Sequence, residues 1–170
     1  MSANLIPASP DTAPDRRRRF LDNRILPPVL GAANGLAMVA AAGALPAAPL
    51  PLLVRIGGFA LAFGLAGRFG IPAIAAFSAA RTTINPVQIN RASTLVTTGV
   101  FARSRNPMYV GLTGLVAALA FALGNAWLLA APLLYAAYLG RYQIQPEERA
   151  MAARFGADYA AYRQRVRRWL

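Results

Sequence analysis

Residues 106–140 read NPMYVGLTGLVAALAFALGNAWLLAAPLLYAAYLG, a run without a single Asp, Glu or Arg. A helix crossing a bilayer needs about 20 apolar residues, so this run is too long for one span. Its middle carries a turn signal, Gly124-Asn125, which separates two arms, Pro107–Leu123 and Ala126–Tyr142. At 1.5 Å per residue each arm makes roughly 25 Å of helix, just enough to cross the hydrocarbon. The stretch therefore predicts a tight helical hairpin in a membrane. Outward from it, a second uncharged gap runs from Ile25 to Val54. Pro27 and Pro28 suit a helix start, where a missing N–H costs nothing. The prolines at 46, 49 and 51 end that helix near Leu45, because proline cannot continue it. A further apolar run, Leu52 to about Ala80, carries Arg55 at its start and Arg68 in its middle. Gly67, Gly70 and Pro72 around Arg68 predict a kink or an interfacial bend, and the reading leaves open whether the span stops there. The sum is an all-α integral membrane bundle of about four transmembrane helices.

The composition agrees. Apolar residues make up 56% of the 170 positions and charged residues 14%, against about a quarter charged in soluble domains. There is no His and no Cys, which removes disulfides, thiolate or imidazole metal sites and Ser-His-Asp hydrolysis. The net charge of +12, carried entirely by arginine, raises nucleic acid as a partner. These arginines punctuate long uncharged runs instead of forming one soluble basic face, so no nucleic-acid role is expected. They cluster at Arg16–Arg19 and Arg24, at Arg81, Arg91, Arg103 and Arg105, and from Arg141 to Arg168. Positive charge marks the cytoplasmic side, so both termini are expected there, facing the cytoplasm of a bacterial inner membrane. Residues 1–24 read as a disordered basic tail, not a secretory signal, and 25–170 as one domain. Two cytoplasmic segments, 81–109 and 141–170, are too specific in composition to be mere connectors.

In the first segment Arg105-Asn106-Pro107-Met108-Tyr109 opens a helix. Asn106 can cap it, Pro107 suits its first position, and free N–H groups there attract a carboxylate. In the second, Glu147-Glu148 follows Pro146 at the mouth of the bundle, where ionisable groups are functional candidates. Met151, Phe155, Tyr159, Tyr162 and Val166 then recur at helical spacing, with Gly156 a possible break. This amphipathic helix should pack on the bundle or lie in the interface. Arg163, Arg165, Arg167 and Arg168, with Trp169, read mostly as surface anchors.

Together the two segments resemble one group: membrane methyltransferases typified by isoprenylcysteine carboxyl methyltransferase and the phospholipid N-methyltransferases. The resemblance rests on Leu95-Val96-Thr97, Gly99, Phe101, Arg105 to Tyr109, Glu147-Glu148, Phe155-Gly156 and Tyr159-Ala160-Ala161-Tyr162, in order and spacing. It implies an S-adenosylmethionine-dependent enzyme with its cofactor at the cytoplasmic face. By position, the implied cofactor contacts are Ser93, Thr94, Leu95, Val96, Phe101, Asn106, Pro107, Met108, Tyr109, Glu147 and Glu148. The catalytic candidates are Arg141 and Arg105. By strict count from Gly156 the family's substrate-facing Arg falls on Gln143, and the nearest Arg is Arg141. The family's His is Asn106 here, the proline after its glycine is Val100, and the Arg after its aromatic is Ala102. The implied reaction needs no metal. Its partners are the lipid bilayer and a lipophilic methyl acceptor, an isoprenylcysteine-type carboxylate or else a phospholipid amine or a thiol. A non-enzymatic scaffold that keeps the fold is the competing class.

Overall fold

A computed structural model describes residues 25–79 and 94–170. The tail 1–24, Arg81, Arg91 and Ser93 lie outside the described residues. What is described is all-helical: α1 Pro27–Ala42, α2 Leu52–Ala79, α3 Pro107–Leu123, α4 Ala130–Leu139 and α5 Gln145–Arg165. Short 3-10 turns occupy Gly99–Ala102 and Ala126–Leu129, and a π turn occupies Gly140–Ile144.

The bundle is built on the pairing of α2 with α3, its widest contact. Ala62, Ala66 and Gly70 recur every fourth residue along α2 and meet Gly111 and Gly114 of α3. A Cβ on Gly111 would lie 2.8 Å from the Gly70 Cα, and one on Gly114 would lie 2.9 Å from the Ala62 carbonyl oxygen. Helices in lipid gain little from burying apolar surface, so they associate where small residues let backbones approach. The helix does not break at Arg68: α2 runs through Pro72 to Ala79. Phe69 and Ala73 are buried against Val100, Phe101 and Val110, and this packing holds the turn around Pro72 in register. Arg68 itself is exposed on the helix.

The hairpin turn falls where the sequence puts it. Gly124 adopts a left-handed conformation (φ 74°) and ends α3, and the Asn125 side chain accepts from the Trp127 N–H at 3.1 Å. The returning arm differs from expectation. It is not one helix ending at Tyr142. It begins as a 3-10 turn, becomes α4, widens into the π turn and continues directly into α5. Pro146 does not interrupt it. The break comes later, at Gly156 (φ 48°, ψ −119°).

At the end remote from Arg105, the two uncharged loops bind each other. The Leu50 N–H donates to the Gly124 carbonyl and the Ala126 N–H to that of Ala48, both at 2.8 Å. Arg55 donates to the Ala122 carbonyl at 2.7 Å, a cation at a helix C-terminus, where the macrodipole favours it. Large apolar side chains point outward, among them Leu36, Leu53, Leu61, Ile71, Leu133 and Leu134, each about two-thirds exposed or more. Among the described residues one helix, Leu52–Ala76, is long and apolar enough to cross a membrane. The apolar helices Pro27–Ala42 and Pro107–Leu123 are shorter.

Candidate active site

The start of α3, the end of α4 and the C-terminal tail converge at the Arg-rich end of the bundle. Asn106 occupies the N-cap position of α3, and its carbonyl accepts from the Tyr109 and Val110 N–H groups. Its side chain does not cap the helix, contrary to expectation. The amide nitrogen reaches outward and donates to the Arg168 carbonyl at 2.9 Å. Ser104, fully buried, takes the cap's place beneath it: its hydroxyl accepts from the Asn106 N–H at 3.1 Å.

Tyr109 lies one turn further on, so its ring leaves the same side of α3. It is buried, and its hydroxyl donates a short hydrogen bond to the Glu147 carboxylate in the first turn of α5. This contact ties the two sequence segments together at the points the resemblance picks out. Burial pushes the Glu147 carboxyl up to about 7; the Tyr109 hydrogen bond opposes that rise, and the negative neighbour Glu148 adds to it. Near neutral pH this carboxyl therefore exchanges a proton easily.

Glu148 faces the opposite balance. Burial alone would raise its pKa, but hydrogen bonds from Arg168 and Arg105 outweigh burial and hold the carboxyl below its ordinary range. Arg105 donates to one carboxylate oxygen through Nε (3.1 Å) and Nη2 (2.6 Å), and Arg168 reaches the other at 2.6 Å. Arg105 also donates through Nη1 to the Val166 carbonyl at 2.6 Å and to that of Arg163 at 3.2 Å. Its backbone N–H donates to the Arg167 carbonyl at 2.9 Å. Arg105 and Glu148 thus engage each other and the tail, a pairing that the sequence does not reveal.

Arg168 is the exception among terminal arginines expected to be mostly surface anchors. Its guanidinium holds Glu148 and its carbonyl holds Asn106. Trp169 beside it is partly buried, packed against both the Tyr109 and the Phe101 clusters. Tyr162 completes the clamp by donating to the Phe101 carbonyl at 2.7 Å. The apolar stripe behaves as expected: Tyr159, Tyr162 and Val166 bury together, with Leu95, Met151, Ala152 and Phe155 against them. Val96 and Met108 pack on the neighbouring Phe69–Phe101 cluster, Pro107 is buried, and Thr94 is exposed. Arg141 sits apart from the Arg105 cluster in its contacts. It donates to the Gln145 side chain at 3.3 Å and lies over the Tyr142 ring.

The chemistry of this donor and acceptor set fits an amino-acid-bearing nucleoside. An amide and a helix start can face a carboxylate, and a carboxylate that titrates near neutrality can face an ammonium or ribose hydroxyls. Sequence comparison identifies the family. A family model described as phospholipid methyltransferase matches residues 54–158, which include Tyr109, Glu147, all of α3 and α2 from its third residue on. The chain is also 33% identical over 63 residues to an uncharacterized protein of Haemophilus influenzae, covering 37% of this chain and all of that protein. No solved structure matches. The match over residues 54–158 places this chain in the phospholipid methyltransferase family.

Proposed function

We propose that this protein transfers a methyl group from S-adenosylmethionine to a lipophilic acceptor at the cytoplasmic membrane face, with four spans in the bilayer. The observation that carries the reading is the Tyr109–Glu147 contact, which joins the start of α3 to the start of α5 within a family of methyltransferases. The outward leucines and isoleucines of α1, α2 and α4 support immersion in lipid, since soluble monomers rarely expose such patches.

Residues from Thr94 to Val96, Phe101, Asn106 to Tyr109 and Glu147 would hold the cofactor. When bound there, it supplies a methyl group already activated on a sulfonium. The chain's own task is positioning, and in-line placement of acceptor and methyl supplies much of the rate. The start of α3 and the second N–H of Asn106 orient the carboxylate end. Glu147 holds a hydroxyl or ammonium and, from its position near neutrality, can accept a proton that an amine acceptor must lose. Arg141, at the mouth of the bundle, can steer an anionic headgroup. The Arg105–Glu148–Arg168 cluster fixes the tail that closes the site. A lipid-borne acceptor enters from the bilayer and the cofactor from the water, which is a reason to build the enzyme inside a membrane.

Calorimetry with S-adenosylhomocysteine on the detergent-solubilised chain tests this. Glu147→Ala and Tyr109→Phe should each weaken binding about tenfold or more, and Arg167→Ala, whose side chain is exposed, should not. Arg141→Ala should lose turnover while retaining the ligand. No heat from the unaltered chain at high micromolar ligand would favour a non-enzymatic scaffold.

A further inference from the structure

Arg55 stands in the first turn of α2, at the end of the bundle remote from Glu147. Its charge is poorly matched there. The N-terminal end of a helix carries about half a positive charge and disfavours a cation. No Asp or Glu occurs between Asp22 and Glu147. Among the described residues the acids are Glu147, Glu148 and Asp158, all on α5, so no carboxylate neutralises Arg55. What the protein supplies is the Ala122 carbonyl, which accepts from Nη2 at 2.7 Å. Nε is buried with no hydrogen-bond partner among the described residues. The guanidinium is nonetheless held in place. It lies across Gly124, where a Cβ would collide with its Nε, Cζ and Cδ atoms, and the Gly124 carbonyl is tied to the Leu50 N–H. Beside it opens a cavity of about 210 Å³ lined by Leu52, Arg55, Ile56, Phe59 and Ala122. Leu52, Ile56, Phe59 and Phe63 are exposed, and their spacing of four, three and four puts them on one face of α2. The Phe59 and Phe63 rings stack at 5.5 Å. A fixed cation thus heads an apolar groove on the outer face of the helix.

We propose that this cavity holds an anionic phospholipid of the leaflet opposite the candidate active site: Arg55 receives the phosphate, and an acyl chain lies along Ile56, Phe59 and Phe63. The inference rests on the immersion of the bundle in lipid, one part of the proposed function, and not on methyl transfer. A guanidinium fits a phosphate through its planar fork of donors, and here Nη1 and the second N–H of Nη2 remain for it. The apolar floor favours an anion that carries a chain over a free, hydrated one. A zwitterionic headgroup would set its own cation beside Arg55, with no carboxylate at this end to receive it. A headgroup of net negative charge brings no such cation.

The test uses the full chain in phosphatidylcholine nanodiscs that contain a trace of photoreactive lipid. The probe is phosphatidylglycerol or phosphatidylcholine, each with a diazirine on the acyl chain. Crosslinks are mapped by mass spectrometry, and the yield from Ile56 to Phe63 is divided by that at Leu133 and Leu134, which are exposed on α4. The phosphatidylglycerol probe should give a ratio at least about fivefold above the phosphatidylcholine probe, the preference that one arginine confers near an anionic headgroup. Arg55→Gln should bring the two probes level. If that variant does not fold, the comparison of probes on the unaltered chain decides alone. Equal ratios on the unaltered chain, or a preference that survives in folded Arg55→Gln, overturn the inference. Loss of the preference on adding excess inorganic phosphate assigns the cation to a free anion and overturns it as well. Arg55→Gln should bind S-adenosylhomocysteine like the parent, so the methyl-transfer reading stands or falls separately by calorimetry.

Discussion

Two adjacent carboxylates at the start of α5 have been set to opposite ends of their range. Glu148 is held ionised by two guanidinium groups, whereas Glu147 faces a tyrosine and an apolar interior. The consequence for stability is specific in sign. The Glu147 carboxyl is raised to about 7 when folded, from 4.5 when exposed. Between those pH values the unfolded chain has released this proton and the folded chain still holds it, so the folded state loses stability as pH rises through the window. Glu147→Gln removes that loss and retains an oxygen for Tyr109. The melting temperature of the variant relative to the parent should therefore climb from pH 4.5 to pH 7 and stay level above. A difference independent of pH would mean that Glu147 titrates normally. Adjacency of Glu147 and Glu148 to a membrane helix was legible in the sequence, as was their link to Asn106 and Tyr109 by resemblance. Their division of labour was not, because it depends on Arg168, twenty residues on, folding back across the site.

Among the elements, the α2–α3 pair bears the architecture, and its partners are small residues that hydropathy patterns pass over. Gly111 and Gly114 look like ordinary residues of an apolar helix. Only the crossing shows that a Cβ on Gly111 would press on the Gly70 backbone, which cannot rotate aside. Gly111→Ala should destabilise the bundle by about 1–3 kcal/mol, the usual range for overpacking, read as a lowered melting temperature in detergent. Gly64→Ala on the open side of α2, where nothing lies within 4 Å, should be neutral or slightly stabilising through helix propensity. Equal losses at both sites would show that the crossing is looser than described. The hairpin turn was readable because Gly124 needs a positive φ that few other residues supply. The π turn was not, since nothing local in Gly140-Arg141-Tyr142-Gln143-Ile144 marks it. It arises from seating Gln143 and Ile144 inside while Glu147 meets Tyr109. Pro72 does not end α2, in which Phe69 and Ala73 are buried on either side of it.

At the scale of the whole molecule the two ends of the bundle differ in charge and in what they hold together. One end joins uncharged loops through Pro49, Gly124 and Asn125, with Arg55 as its nearby cation. The other joins Arg105, Glu148 and Arg168 under the Tyr109–Glu147 contact. Arginine bias orients membrane helices toward the cytoplasm, so the Glu147 end should face the water from which a nucleoside cofactor comes. The chain contains no cysteine, which makes the orientation directly measurable. Single replacements Ala47→Cys and Ala157→Cys fall on exposed residues at the two ends. In intact cells an impermeant maleimide should label position 47 and spare position 157 until the membrane is opened. The reverse pattern would put the candidate site on the outer face, away from cytoplasmic cofactor, and the methyl-transfer reading could not stand. Labelling of both positions in intact cells would require an even number of crossings between them and would break the four-span arrangement, in which α2, α3 and the returning arm separate the two. The span count was read from uncharged gaps, and among the described residues only Leu52–Ala76 is long and apolar enough to cross on its own. The shorter α1 and α3 reach about 24–26 Å and cross only if the membrane is thin or flanking turns complete the span. The 3-10 turn before α4 and the π turn after it lengthen the returning arm, and if α2 and α3 cross, failure of that arm to cross would put positions 47 and 157 on the same side.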